Sequence, residues 1–330
     1  MELKAPYLLF LGDASDPFAI KLARGVVDWR PELACAENKL AGCTISTGIA
    51  DMSIRDAANA GAKSFVIGLA NNGGILAENW IPSIKIAIEC GMDIISGMHQ
   101  ALNSIPELVI LAEKYQVALH DIRHPPNGFA TGTGEKRQGK RLLAVGTDCS
   151  AGKMYTALAL ERGMRDRYDV SFKATGQAGI LIAGKGIAID CVVSDFISGA
   201  VEQLSPENDA EHWDIIEGQG SLYHPAFAGV SLGLLHGAQA DALVLCHVEG
   251  RKTMRGLTNR PLPSLADTIE TNLHAARVTN PEVRFIGVSV NTSALSEGEA
   301  LSCCQAYEHQ LKMPVVDPLR HGVEPLVANL

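Results

Sequence analysis

The chain has 330 residues, 47 % of them apolar, and a net charge of −9 from 28 Lys and Arg against 37 Asp and Glu. That length suggests about two domains of roughly 100–200 residues. The acidic balance excludes a broad nucleic-acid surface but leaves room for one anionic small molecule at a local basic site, and no apolar run approaches the roughly 18 residues that span a bilayer.

Short apolar runs alternate with helical segments from the start. Tyr7–Leu11 reads as a strand, and Asp16-Pro17 as the cap and first-turn proline of a helix to Val27. Ser53 and Asp56 open a second helix that Gly61 closes, and Ser64–Leu69 is the next strand. Pro82–Cys90 reads as helix, Asp93–Ile95 as strand, and Ser104 with Glu107 as a capping box for a helix to Tyr115, before a strand at Val117–His120. This alternation predicts a parallel sheet covered by helices. Residues 124–140 are rich in Gly, Pro and charge and offer almost nothing to bury. The expected organisation is an N-terminal α/β domain over 1–125, a linker over 126–140 and a second α/β domain over 141–330.

The second half begins with a strand at Arg141–Val145 that runs into Gly146-Thr147-Asp148-Cys149-Ser150-Ala151-Gly152-Lys153-Met154. A helix follows to Arg167, then strands at Val170–Ala174, Asp214–Glu217, Ala242–His247, Arg284–Val290 and Val315–Val316, with capped helices at Ser264/Asp267 and Ser296/Glu299. A strand, a glycine-rich turn and a helix N-terminus form a concavity of backbone N–H groups that holds phosphate, and Lys153 adds a full charge. The common spacing is Gly-x4-Gly-Lys-Ser/Thr, and here five residues separate Gly146 from Gly152. Met154 stands where a hydroxyl ordinarily binds Mg²⁺, and a thioether is no ligand for a hard cation. The pattern therefore suits a pyrophosphate that is held rather than cleaved, as in coenzyme A, and no metal is expected. The eight cysteines show no Cys-x-x-Cys pair and read as free thiols of a reducing compartment. Met1–Leu11 lacks a basic stretch followed by a long apolar run, so a cytoplasmic location is expected.

Gly-Thr-Asp with the five-residue spacing to Gly-Lys resembles the phosphate loop of dethiobiotin synthetase. So do the strand-end strings Glu217–Ser221 and Gly287–Thr292, where Asn291 corresponds to the residue that reads the base. A longer resemblance is to a family of two-domain bacterial proteins, long carried as a domain of unknown function, with D-glutamate N-acetyltransferase among its members. It rests on Tyr7–Asp13, Asp28–Pro31, Gly146–Lys153, Tyr155–Arg162, Ala174–Gln177, Gly179–Asp190, Glu217–Pro225, His236–Ala238 and Val315–Pro318. The resemblances imply two doubly wound domains, the first Rossmann-like and the second a P-loop NTPase-like parallel sheet. They also imply transfer of an acetyl group from acetyl-CoA to the amine of D-glutamate, in D-amino-acid catabolism. The expected assembly is a homo-oligomer with small-molecule partners only, and neither nucleic acid nor membrane.

Amine acetylation needs a base, a grip on the substrate carboxylates and a grip on CoA. Glu217, at a strand end beside glycines, is the first candidate base, with His224 and Asp190 behind it; each also reads as an ordinary structural acid, packed histidine or helix cap. Arg251 and Arg255 supply forks for the carboxylates or for a CoA phosphate. Gln219, Asn72 and Gly73 complete the substrate-binding set, and His99 and Arg123 also follow strands. Cys149, at a helix N-terminus, makes an acetyl-cysteine conceivable, but direct attack by the amine needs none. Two other functions are open: an ATP- and Mg²⁺-dependent carboxylate ligase or kinase of the dethiobiotin-synthetase type, and a nucleotide-sensing regulator.

Overall fold

The structure is a computed structural model that describes residues 3–17, 19–71, 73–125 and 128–330. The chain forms two units. One contains residues 1–125 and 176–191, the other residues 126–175 and 192–330.

The first unit is built on a parallel five-stranded sheet of β1 (Tyr7–Gly12), β2 (Ala34–Lys39), β3 (Ser64–Ile67), β4 (Asp93–Ser96) and β5 (Leu119–Asp121), in the order β2-β1-β3-β4-β5. Every residue of the central strand β1 is buried. Both of its faces must therefore be apolar, which is why it reads as an unbroken run of Tyr, Leu and Phe. Ser53 caps the helix Ile54–Asn59 by accepting the Asp56 N–H, as the spacing predicts.

Two helix starts differ from expectation. The helix placed at Asp16-Pro17 begins at Lys21. The capping box at Ser104 does not form. Ser104 lies in a short 3-10 turn with its hydroxyl on the Ala101 carbonyl, and the next helix starts at Pro106, a residue pre-shaped for a first turn. Glu107 instead pairs with Lys85 at 2.7 Å.

The second unit holds a parallel six-stranded sheet of β6 (Lys140–Gly146), β7 (Val170–Lys173), β8 (Trp213–Ile216), β9 (Ala242–Val248), β12 (Arg284–Asn291) and β13 (Val315–Val316). Its order is β13-β12-β9-β6-β8-β7. A small antiparallel hairpin, β10 (Thr253–Met254) with β11 (Leu257–Pro261), leaves the C-terminal end of β9. Both sheets are of the doubly wound α/β kind. Ser296 and Glu299 form a complete capping box, and Ser264 caps its helix through the Asp267 N–H. Among the described residues, no helix is long and apolar enough to cross a membrane.

Two segments depart from the expected organisation. Residues 176–191, placed by sequence in the second domain, belong to the first unit. Their helix Gln177–Ala183 packs on the helix Lys21–Trp29, and Arg30 donates to the Ile182 carbonyl at 3.3 Å. The described part of the stretch read as a linker, from Gly128, is tied to the second unit. Arg137 donates to the Ser205 carbonyl, the Gln239 amide oxygen and the Gly237 carbonyl at 2.8–3.0 Å. Glu202 accepts the N–H groups of Thr133 and Gly134.

Arg141 completes this anchor. It is 1 % exposed, and its guanidinium donates to the carbonyls of Arg137, Gln138, Gly139 and Pro206 and to the Ser205 hydroxyl. A charge can be buried when each of its N–H groups has an acceptor. Replacing Arg141 by Met keeps bulk but orphans those carbonyls, each at about 1–3 kcal/mol. We expect Arg141→Met to cost at least about 3 kcal/mol, read as a lower urea midpoint for the second unit; an unchanged midpoint would contradict this account of the anchor.

Candidate functional site

Strand β6 ends at Gly146, flanked by β9 on one side and β8 on the other. The chain then turns through 147–152 into the helix Lys153–Met164. Open α/β sheets bind ligands at such a place, because connections leave β6 and β8 in opposite directions and open a crevice at the strand ends. Gly152 stands at the N-cap with φ +93°, and no side chain caps this helix. The first-turn N–H groups of a helix have no partner within it and sit at the positive end of its dipole.

Lys153 folds back beneath the loop, with Nζ donating to the Asp148 carbonyl at 2.8 Å. Burial pulls its pKa down, while the nearby Cys246, Cys149, Asp148 and Glu217 oppose the shift. Two glycines make room for it. A Cβ on Gly146 would lie 3.0 Å from Lys153 Nζ, and a Cβ on Gly218 would lie 1.6 Å from the Ala144 carbonyl oxygen and 3.0 Å from Lys153 Cδ.

The side chain of Asp148 is fully buried. Its Oδ2 accepts from Arg251 Nη1 at 2.9 Å and from the Arg255 N–H at 2.8 Å. Arg251 also donates to the carbonyls of Cys149 (2.7 Å) and Ser150 (3.1 Å), and the Arg255 guanidinium reaches the Ser150 hydroxyl. The two arginines that sequence assigned to substrate carboxylates are thus engaged with the loop, brought there by the β10–β11 hairpin. The other oxygen of Asp148, Oδ1, has no hydrogen-bond partner among the described residues.

Glu217 follows β8 and is 5 % exposed. Its Oε2 accepts the Thr175 N–H at 2.9 Å, and the Thr175 hydroxyl donates to the Glu217 carbonyl. Gln219 donates to that same hydroxyl at 3.0 Å. Ser221 donates to the Thr147 carbonyl and so ties this strand end to the loop. His224 is buried and stacks on Phe227 with ring centroids 4.5 Å apart. Its Nδ1 accepts the Ala226 N–H, so the neutral ring carries its proton on Nε2, facing the Arg255 carbonyl; both bonds are 3.3 Å.

One donor atom from each of Asp148, Cys149 and His224 lies within 4.8 Å of the others. Read as a string, the chain shows no such ligand cluster, because residue 224 is far in sequence from the loop; the structure brings the three together. Burial pushes the Cys149 thiol up, against the lowering effect of Lys153, Arg255 and Arg251. At the ordinary magnesium position, Met154 offers no oxygen, and the Thr156 hydroxyl is engaged in the core with Ser289 at 2.7 Å. Asn291 lies exposed at the end of β12, with its side-chain oxygen on the Ser293 N–H.

Other candidates lie in the first unit. Asp190 pairs with Arg123, which also donates to Cys191 Sγ at 3.2 Å. His99 is pulled down by burial and then by Arg123. Gly73, at φ +87°, occupies a turn in which the Asn71 side chain bonds both backbone groups of Ile75. Asn72 lies outside the described residues.

Comparison with known proteins adds to this geometry. Residues 128–327 match a family described as a domain of unknown function, the DUF1611 C-terminal P-loop domain, and residues 37–125 match the DUF1611 N-terminal Rossmann-like domain. A D-glutamate N-acetyltransferase from Pseudoalteromonas sp is 57 % identical over 100 % of both chains. Another from Tritonibacter scottomollicae is 47 % identical over 99 % of each. The crystal structure of a DUF1611 family protein from Anabaena variabilis ATCC 29413 superposes with a TM-score of 0.89 over 99 % of each chain, at 27 % identity.

The close approach at Gly218 has a direct consequence. Gly218→Ala would drive a methyl group into the β6 backbone, and we expect it to abolish cooperative unfolding of the second unit or to prevent recovery of folded protein. Gly229→Ala, where nothing lies within 4 Å, should fold normally and gain up to about 1 kcal/mol from helix propensity. Circular dichroism melts compare the two, and a Gly218→Ala protein as stable as its parent would refute the packing argument.

Proposed function

The chain belongs to the DUF1611 family, and from that premise we propose that it transfers the acetyl group of acetyl-CoA to the amine of D-glutamate. The reading draws on full-length identity to two proteins named for that reaction. In the site itself, one observation carries it: a phosphate cradle complete in its glycines and lysine, with methionine where a nucleotide-cleaving loop has a magnesium-binding hydroxyl. In this role the N–H groups of 149–153 and Lys153 hold the CoA pyrophosphate. Asn291 lies at the strand end suited to the base. Gln219 and those N–H groups of Arg255 and Arg251 not spent on the loop are the donors proposed for carboxylates near its mouth. D-Amino-acid breakdown in the cytoplasm fits such a reaction, since all eight thiols are free.

The attacking amine is protonated at neutral pH and must lose a proton. Glu217 is the proposed acceptor: its carboxylate stands at the end of β8 beside the phosphate loop, where open α/β sheets place their ligand sites. The Thr175 N–H orients one of its oxygens. His224 is the alternative acceptor within the second unit.

Three measurements check this proposal. Acetyl-CoA should raise the melting temperature of the pure protein while ATP with Mg²⁺ does not; the reverse pattern would favour a ligase. Lys153→Ala should weaken acetyl-CoA binding roughly ten- to a hundredfold, from a loss of about 1.5–3 kcal/mol, and an unchanged dissociation constant would remove the loop from the cofactor site. Glu217→Gln should cut kcat at least about a hundredfold with acetyl-CoA affinity within a few-fold. Loss of affinity at constant kcat would instead make Glu217 a support for Lys153.

A further inference from the structure

We propose that Asp148, Cys149 and His224 form a binding site for a borderline-soft divalent cation of the zinc type, set in the phosphate loop itself. Three observations converge on it. The donor set is a carboxylate, a thiol and an imidazole, each contributing one atom, all within 4.8 Å of one another. Catalytic-type zinc sites combine three protein ligands of these kinds with one open position. The Asp148 side chain is fully buried, and its Oδ1 has no partner among the described residues. A buried carboxylate oxygen left unbonded is costly, and a cation would satisfy it while Oδ2 keeps its bonds to Arg251 and to the Arg255 N–H. Finally, the His224 ring is held by the backbone. With Nε2–H on the Arg255 carbonyl, a cation at Nδ1 displaces only the 3.3 Å bond from Ala226. Metal-bound histidines commonly give their second N–H to a carbonyl in this way.

Chemistry selects the ion. Magnesium and calcium seek oxygen, whereas a thiolate with an imidazole suits zinc or cobalt. Metal uptake would release the Cys149 thiol proton to solvent and leave a coordinated thiolate. No redox step is involved. Charge argues for coupling to the loop's anion. Arg251, Arg255 and Lys153 already surround the site, and a further dication is best balanced when a pyrophosphate is bound. By reciprocity, cation and pyrophosphate should tighten each other by the same factor. Such a site departs from the expectation, drawn from Met154, that no metal is needed.

The test uses untagged full-length protein purified without chelator. Elemental analysis should find on the order of one zinc per chain, or the protein should retain that amount after reconstitution with zinc chloride and gel filtration. Cobalt(II) should give an intense near-ultraviolet thiolate band and the visible spectrum of a tetrahedral centre. Cys149→Ala should lose the thiolate band, and both Cys149→Ala and His224→Ala should weaken zinc binding by more than about a hundredfold, with unchanged circular dichroism. Coenzyme A should tighten zinc binding in the parent. The proposal is overturned if the parent retains no zinc, if cobalt shows no thiolate band, or if both variants bind zinc like the parent. It is also overturned in its coupling to the loop if coenzyme A leaves zinc affinity unchanged. Metal content and spectra are read without turnover, so failure of the acetyl-transfer reading would leave them untouched, and a metal-free parent that still acetylates D-glutamate would refute the metal site alone.

Discussion

The buried carboxylate of Asp148 sets the shape of the glycine-rich loop at the end of β6. A glycine-rich loop has little reason of its own to hold one conformation, because its residues lose much backbone entropy on ordering. Here an ion pair inside the loop opposes that loss. Arg251 grips the Asp148 carboxylate and two successive carbonyls, and the Arg255 N–H adds to the same oxygen. A buried pair of this kind is poor as a source of net stability but strongly destabilising to break, since one partner is left charged and unpaired. It therefore fixes geometry rather than adding free energy. The segment from Arg251 to the hairpin turn at Arg255 becomes a strut for a loop far away in sequence.

Close approach has the same effect beneath the loop. Gly218 lets β8 run on against the Ala144 carbonyl, and Gly146 leaves the space into which Lys153 folds. The lysine lies in a buried slot against the Asp148 carbonyl, with Glu217 and Asp148 supplying opposing charge. On the proposed function, an arriving anion would meet a cation already desolvated by the protein, so less water would have to be stripped at binding.

What could be read from sequence follows the range of the interactions. The phosphate loop was legible because its strand, glycines, lysine and helix are contiguous, and a phosphate cradle needs little else. The central strands were legible as unbroken apolar runs, and Ser53, Ser264 and Ser296 as caps that act within three residues. Edge strand β2, Ala-Cys-Ala-Glu-Asn-Lys, carries almost no β-forming residues and exists because β1 offers it a hydrogen-bonding edge. Arg251 and Arg255 have the composition of a substrate fork, but their partners lie about a hundred residues upstream in the loop, and no local pattern announces them. The meeting of His224 with Asp148 and Cys149 was hidden for the same reason. A histidine following a strand-end Glu-Gly-Gln-Gly string, two strands from a glycine loop that holds both an acid and a thiol, is the one signal that could have suggested it.

The excursion of residues 176–191 bears on how the molecule is made. The helix that covers Lys21–Trp29 is encoded after the phosphate loop and after strand β7. A nascent chain released as far as residue 125 holds all five strands of its first sheet but lacks the helix that packs on Lys21–Trp29. The face of Lys21–Trp29 that this helix covers stays open until the ribosome has synthesised the start of the second half. Residues 1–125 alone therefore do not encode the whole of the first unit, and an evolutionary exchange of that unit would have to carry this short insert across with it.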